Sequence, residues 1–186
     1  MNAPVIPQRR GRQSPVRPRF TAFAAMSADG KISLRKASLP SWTSREDQRF
    51  FQKSLAGFDA VVVGRNTYET AARSLRRRTT YVITSRTSKK RRYGSVTFVN
   101  PAGVDLAALF SQYRSVAVLG GSSVYGLMAR HGLLHDFYLT IEPLLFGRGT
   151  PLIAGLKRTL PLRLASIRRL NRTGTILLHY LCASLP

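Results

Sequence analysis

The chain has little cysteine and little acid, and it has no long apolar run. Its 186 residues include one cysteine, Cys182, so no disulfide can form within the chain. A reducing compartment, the cytoplasm, is therefore expected. No apolar run reaches the roughly 18 residues that a membrane-spanning helix needs, and the first twenty residues lack the apolar core of a secretory signal. We expect no membrane partner.

Motifs of several enzyme classes are also absent. The sequence has neither a P-loop nor a G-x-G-x-x-G fingerprint. The segment Gly120–Ser123 is not the G-x-S-x-G turn that carries a nucleophilic serine. His131 and His135 are four residues apart, but we expect Gly132 to end the helix between them, so no metal site is predicted.

The shortage of acid makes the charge unusual. Thirty Lys and Arg against eight Asp and Glu give a formal charge of +22. Residues 1–18 are rich in proline and arginine and are interpreted as a disordered basic leader, with residues 19–186 as a single domain. The excess either forms a solvated tail and loop or attracts polyanions, which include nucleic acid and multiply phosphorylated cofactors.

The predicted ligand site is centred on the segment Ser115–Met128. This segment begins with an apolar run typical of a strand buried on both faces, continues with Gly120-Gly121-Ser122-Ser123, and then shows helical spacing. Glycines allow backbone to approach a ligand closely, and the first N–H groups of a helix are unpaired. The pattern predicts an anion site, although a glycine pair alone also suits a tight turn.

Two further strands end in a similar way. Asp59–Gly64 runs into Arg65-Asn66-Thr67, and Thr79–Thr84 is followed by Ser85-Arg86. Ligands of parallel sheets bind outside the carboxyl ends of the strands, so these ends are predicted to line one crevice. The alternative is a plain strand-to-helix turn with a surface arginine.

An acid is predicted on an apolar helix face. Thr43–Phe58 reads as an amphipathic helix capped by Ser44, and Asp47 lies one turn before Phe51. An apolar setting disfavours the charged carboxylate and raises its pKa. Simple capping by Asp47 is the alternative interpretation.

The order of elements predicts the fold. Strands alternate with helices up to Gly132, and Asp136–Glu142, Leu162–Leu170 and Thr175–Ala183 then follow as strands. Ile32–Trp42 and Thr87–Gly94 are read as irregular or turn segments. The prediction is an α/β sandwich with a mostly parallel central sheet and an antiparallel C-terminal edge.

Three segments resemble a known superfamily. They are Ser27–Ser33 (S-A-D-G-K-I-S), Asp59–Thr67 (D-A-V-V-V-G-R-N-T) and Leu133–Gly149. They are similar to segments of the dihydrofolate reductase superfamily, in particular the C-terminal reductase domain of riboflavin-biosynthesis deaminase-reductases. The resemblance spans Phe20 to Leu181 and implies a dihydrofolate-reductase-like three-layer sandwich in a stand-alone form.

Other features resemble dihydrofolate reductase itself. Gly64–Glu69 is similar to its G-R-x-T-[WY]-E segment, and Val118–Tyr125 to its V-I-G-G-x-x-[VI]-Y segment, in which a cis peptide joins the glycines. Asp47 falls where that enzyme carries its active-site acid, and Thr140 where a strand threonine hydrogen-bonds that acid.

The resemblance implies an NADPH-dependent reductase, commonly dimeric, that transfers a hydride to a C=N carbon of a heterocyclic or ribosylamino substrate. The first expectation is the riboflavin-pathway ribosylamino-pyrimidine phosphate, and the second is dihydrofolate or another pterin. Leu119 stands where the pyrimidine reductases usually have Glu, which bears on the substrate and not on the cofactor. A basic nucleic-acid-binding module without catalysis is the alternative class, disfavoured because the aromatic residues lie on predicted core faces.

These arguments select three groups of residues. The catalytic candidates are Asp47 and Thr140. The cofactor-binding candidates are Ala25, Ile32, Gly64, Arg65, Asn66, Thr67, Thr84, Ser85, Arg86, Gly120, Gly121, Ser122, Ser123, Val124 and Tyr125. The substrate-binding candidates are Asp29, Trp42, Phe51 and Leu119.

Overall fold

A computed structural model describes residues 17–34 and 41–183. The predicted basic leader lies outside the described residues except for its last two positions. Within the predicted irregular segment Ile32–Trp42, residues 35–40 also lie outside them.

Strands dominate the described part of the chain. They are β1 (Arg19–Ser27), β2 (Lys31–Ser33), β3 (Ala60–Gly64), β4 (Thr80–Ile83), β5 (Lys90–Tyr93), β6 (Val96–Val99), β7 (Ser115–Val118), β8 (Asp136–Glu142), β9 (Thr150–Pro151), β10 (Leu162–Arg169) and β11 (Ile176–Cys182). The α-helices are α1 (Arg45–Leu55), α2 (Arg65–Leu75), α3 (Leu106–Phe110) and α4 (Ser122–Arg130).

Nine strands form one sheet in the order β10-β11-β8-β1-β7-β3-β4-β6-β5. The pairings from β8 through β6 are parallel. The hairpin β10–β11 adds to β8 antiparallel at one edge, and β5 adds to β6 antiparallel at the other. The predicted mostly parallel sheet with an antiparallel C-terminal edge is confirmed.

Helices cover both faces of this sheet. One core joins the apolar side chains of α3 and α4 to inward residues of the central strands, Phe20, Val62 and Val116 among them. The other core joins α1 and α2 to the opposite face, which includes Phe23 and Val61. Alternate residues of β3 thus enter different cores, which explains its continuous run of valines and gives three layers.

Three short strands were not predicted. The charged turn Thr87–Gly94 contains β5, whose four residues are exposed. An edge strand keeps charged side chains in water, so its sequence carries no apolar pattern. Lys31–Ser33 pairs with Thr150–Pro151 as a two-stranded sheet, and neither segment was among the predicted strands. None of the helices in the described ranges is long and apolar enough to cross a membrane.

Candidate functional site

The ends of β3 and β7 meet at two glycines. The backbone N–H of Gly64 donates a 2.6 Å hydrogen bond to the carbonyl oxygen of Gly120. The peptide between Gly120 and Gly121 is cis, as the resemblance implies. A Cβ on Gly121 would lie 3.4 Å from Oγ1 of Thr67, so two of the predicted anion-binding segments are neighbours.

Glycine is required at position 120 for two reasons. Its φ of +82° lies in the left-handed region, and a Cβ there would lie 2.7 Å from the ring of Tyr125. That ring is buried, and its hydroxyl donates to the backbone carbonyl of Phe23. Tyr125 and the equally buried Val124 therefore lie beneath the glycine loop and support it.

The two helices that begin at this point lack side-chain caps. The N-caps of α2 and α4 are Gly64 and Gly121, and neither provides a capping hydrogen bond. By contrast, Ser44 caps α1 and Asp105 caps α3 through their side-chain oxygens. Unpaired N–H groups with positive partial charge therefore meet at one crevice, which is a suitable environment for phosphate.

Hydroxyl and amide side chains lie at the same helix starts. The Oγ of Ser122 is buried and has no hydrogen-bond partner among the described residues. Ser123 and Asn66 are exposed at the two helix starts. Arg65 is partly engaged, because its Nε donates to Glu69 at 2.8 Å.

A basic cavity of about 230 Å³ lies at the ends of β4 and β6. Arg65, Thr84, Arg86, Thr87, Arg91, Tyr93 and Phe98 line it. The backbone N–H of Arg86 donates to Oγ1 of Thr84 at 3.2 Å, while Ser85 is exposed. Arg91, which lies over the Tyr93 ring at 4.9 Å, was missed because the sequence reading treated the basic run before Gly94 as a solvated turn.

The opposite end of the row of strands carries the acid. Oγ1 of Thr140 on β8 donates a 2.6 Å hydrogen bond to Oδ1 of Asp47 on α1. Asp47 is 9% exposed. Burial raises the pKa of Asp47, hydrogen bonds from Thr140 and Thr43 oppose the rise, and the negative charge of Glu142 adds to it. The predicted placement of Asp47 on an inward face is thus observed.

Glu142 is a second buried carboxylate that the site predictions omitted. It is 3% exposed and accepts hydrogen bonds from the Ser44 backbone and the Thr175 hydroxyl. Because side chains alternate along a strand, the predicted strand Asp136–Glu142 already puts Glu142 on the face of Thr140, so the signal was present. The sequence offered no means of pairing it with Ser44.

Other candidates lie between the two ends or beside them. Ala25 pairs with Thr140 in the β1–β8 register. The half-buried Phe51 packs edge-on against Phe23, and the backbone N–H of the half-buried Leu119 donates to the Val62 carbonyl just beyond β7. Phe51 and Leu119 both pack against the core on the α1 side of the sheet, which includes Phe23.

The remaining candidates lie around a loop. Asp29 accepts hydrogen bonds from Ser27 and from the backbone N–H groups of Phe146 and Gly147. These bonds lower the pKa of Asp29 to about 2, with the Ser27 hydroxyl as the largest cause. Trp42 packs edge-on against Phe146. The structure therefore shows Asp29 organising this loop, and Ile32 lies in β2 packed on the core.

The strand order sets the distance between the acid and the basic cavity. Four strand spacings divide Thr140 on β8 from Thr84 beyond β4, which corresponds to about 19 Å. The crevice thus has an acid at one end, two uncapped helix starts in the middle and arginines at the far end. Within the described ranges, no cluster of three His, Cys, Asp or Glu could hold a metal ion.

Comparison with known proteins identifies one family for this chain. The model of the RibD C-terminal domain matches residues 18–176. The uncharacterised protein YwjB of Bacillus subtilis is 25% identical over 171 residues, which are 87% of this chain and 96% of YwjB.

Two solved structures share the fold. A dihydrofolate reductase from Enterococcus faecalis complexed with NADP(H) has a TM-score of 0.67 at 21% identity, over 89% of this chain and 97% of that one. The riboflavin biosynthesis reductase Rib7 of Saccharomyces cerevisiae has a TM-score of 0.67 at 18% identity, over 92% of each chain. The predicted dihydrofolate-reductase-like fold is confirmed.

Proposed function

The chain belongs to the RibD C-terminal domain family, and from that premise we propose that it is an NADPH-dependent reductase. Its substrate is a small heterocyclic or ribosylamino compound that accepts a hydride at a C=N carbon. The observation that carries the proposal is the buried Asp47–Thr140 pair at one end of a crevice whose middle is lined by uncapped helix starts.

The residues present fit NADPH. The N–H groups at Gly120–Ser123 and at Arg65–Thr67 suit its pyrophosphate, and the Ser122 hydroxyl has no hydrogen-bond partner within the described ranges. Arg86 and Arg91 in the basic cavity suit the adenosine 2′-phosphate, because a guanidinium offers paired donors to a phosphate. Bound there, NADPH supplies the hydride.

The protein's own contribution is to bind, orient and protonate. Asp47 holds its proton to higher pH than an exposed aspartate does, so it can hydrogen-bond a substrate ring or donate a proton to its nitrogen. Thr140 fixes the orientation of that carboxyl group. Phe51 and Leu119 exclude water from the reacting atoms, and the register of Ala25 with Thr140 leaves a small side chain beside the acid.

Two substrates fit this class. Family membership favours the ribosylamino-pyrimidine phosphate of riboflavin biosynthesis, as does the shared fold with a riboflavin biosynthesis reductase. The acid–threonine pair favours the second candidate, dihydrofolate or another pterin, because the sequence resemblance assigned that pair to dihydrofolate reductase. The test is NADPH consumption with each substrate. Turnover of the pyrimidine supports the first candidate, turnover of the pterin alone supports the second, and failure to bind NADPH would refute the proposal.

A homodimer in the cytoplasm belongs to the same proposal. Leu162, Leu164 and Ile167 of β10 are 42%, 49% and 63% exposed, and the register places them on the face of the hairpin that carries Tyr180. Apolar side chains grouped on an edge strand are typical of a surface that pairs with another chain.

The alternative of a nucleic-acid-binding module gains little support. Tyr93 is the one aromatic side chain in the described ranges that is classed as exposed, and it lies in the basic cavity. A stacking surface for bases needs several such rings.

A further inference from the structure

The buried carboxylate of Glu142 takes no part in the reaction as proposed, yet it lies two residues beyond Thr140 at the end of β8. Because side chains alternate along a strand, Thr140 and Glu142 face the same helix, α1. Two carboxyl groups, those of Asp47 and Glu142, are therefore buried beside each other at one corner of the crevice.

Both carboxyl oxygens of Glu142 accept hydrogen bonds. Oε1 accepts the backbone N–H of Ser44 at 2.7 Å, and Oε2 accepts the hydroxyl of Thr175 at 2.6 Å. The Thr175 hydroxyl in turn accepts the side-chain amide of Asn171 at 2.8 Å. A carboxylate only accepts hydrogen bonds, and both oxygens of Glu142 meet a donor. Within the described ranges, no Lys, Arg or His forms an ion pair with Glu142.

Ser44 connects Glu142 to the acid. Ser44 is the N-cap of α1, and its Oγ accepts the backbone N–H of Asp47 at 3.3 Å. The same serine is thus held by Glu142 through its backbone and holds Asp47 through its side chain. A shift of the hydrogen bond between Glu142 and Ser44 would therefore move the first turn of α1 and, with it, the carboxyl group of Asp47.

We propose that Glu142 is a positioning residue for Asp47: its carboxylate fixes the first turn of α1 against β8 and places a second carboxylate beside the acid. The catalytic consequence rests on the proposed function. The charge of Glu142 raises the pKa of Asp47, which agrees with this role.

Other charged groups on the neighbouring elements have other partners: the guanidinium of Arg168 on β10 lies over the Phe50 ring of α1, 5.5 Å from its centroid. Glu46 on α1 faces the amide of Asn171, and the charges of Arg45 and Arg49 act on Glu46. Ser27, which pairs with Glu142 in the β1–β8 register, carries no charge.

Glu142→Gln tests the proposal because it keeps the size of the side chain and removes its charge. The measurement is NMR titration of the Asp47 carboxyl carbon in the full-length protein, and Glu46→Gln is the matched control. We expect the titration midpoint of Asp47 to fall in Glu142→Gln and to stay in Glu46→Gln. An unmoved midpoint in Glu142→Gln, or an equal fall in both variants, would overturn the proposal.

Glu142→Asp separates position from charge and also serves if Glu142→Gln does not fold. Its shorter stem cannot span both Ser44 and Thr175, so kcat should fall more than KM changes, while the Asp47 midpoint remains high. An unchanged kcat would overturn the positioning role. Because the titration needs no turnover, a protein without reductase activity would refute the proposed function and leave the effect of Glu142 on Asp47 measurable.

Discussion

Asp47 and Thr140 lie 93 positions apart in sequence and are joined by a 2.6 Å hydrogen bond inside the protein. The helix brings the acid to the end of β8, and the threonine orients it. Thr43 is a second hydrogen-bond donor to the same carboxyl group, so two threonines hold the acid in place.

Asp47→Asn should lower kcat of the reductase about 10²- to 10⁴-fold, the usual contribution of a positioned acid. It should not lower stability at neutral pH. The folded-state pKa of Asp47 is raised, so between the unfolded and folded pKa values the native state binds more protons, and the free energy of unfolding falls as pH rises through that window. Asparagine does not titrate, so the variant should not show this fall in the free energy of unfolding. Thermal melts of the wild type and the variant at acidic and alkaline pH measure the difference in stability. A variant with wild-type kcat would contradict the prediction.

Thr140→Val should shift the pH dependence of kcat to higher pH. The Thr140 hydrogen bond lowers the pKa of Asp47, so its removal lets burial raise that pKa further. Thr140→Ser retains the hydroxyl and should retain the wild-type profile. Identical profiles for the valine and serine variants would show that the hydrogen bond has no such effect.

Arg86→Gln and Arg91→Gln should each raise KM for NADPH roughly 10- to 100-fold, because a charge-assisted hydrogen bond contributes about 1.5–3 kcal/mol. KM for NADH, which lacks the 2′-phosphate, should change little. Arg158→Gln removes the same charge from an exposed position outside the cavity and serves as the control. Equal effects on NADPH and NADH would argue against a 2′-phosphate site.

Gly120→Ala should destabilise the fold by about 3 kcal/mol. A left-handed φ costs an alanine roughly 1–2 kcal/mol, and the contact with the Tyr125 ring adds about 1–3 kcal/mol. Gly132→Ala is the matched control, since Gly132 has a φ of +65° with open space around its Cβ position. Urea denaturation of both variants gives the difference, and equal losses would mean that the Tyr125 contact is relieved at no cost.

Ile167→Lys should convert the proposed dimer to a monomer. Ile167 is 63% exposed, so a lysine there costs the single chain little, while it would bury a charge in the dimer. Sedimentation velocity reports the mass, with Arg163→Gln on the opposite face of β10 as the control. A wild-type protein that sediments as a monomer would refute the dimer itself.

Much of the fold followed from pattern alone. Runs such as Val61–Val63 identify buried parallel strands because both faces are apolar, and β8 was placed with its observed bounds. The short strands β2, β5 and β9 were not predicted. β2 and β9 pair with each other across a long stretch of chain, and β5 is an exposed edge strand without an apolar pattern. Helix α1 is shorter than predicted at both ends, so Phe58 packs from the following turn.

The site residues also differ in whether the sequence alone could identify them. Asp47 and the glycine pair carry local signals, a helical period and a strand-to-helix turn, and these signals located them. Glu142 and Arg91 matter only through partners brought to them by tertiary structure. Asp29 shows the converse: the sequence made it a substrate-binding candidate, but only the folded loop shows that Ser27, Phe146 and Gly147 occupy its oxygens.

The turn between β10 and β11 has a consequence for protein engineering. An exposed hairpin tip normally tolerates insertions, but here Asn171 reaches from the turn to Thr175, and Thr175 reaches to Glu142. A peptide tag or a fluorophore inserted at residues 171–174 would thus disturb the contacts that hold the helix carrying the acid.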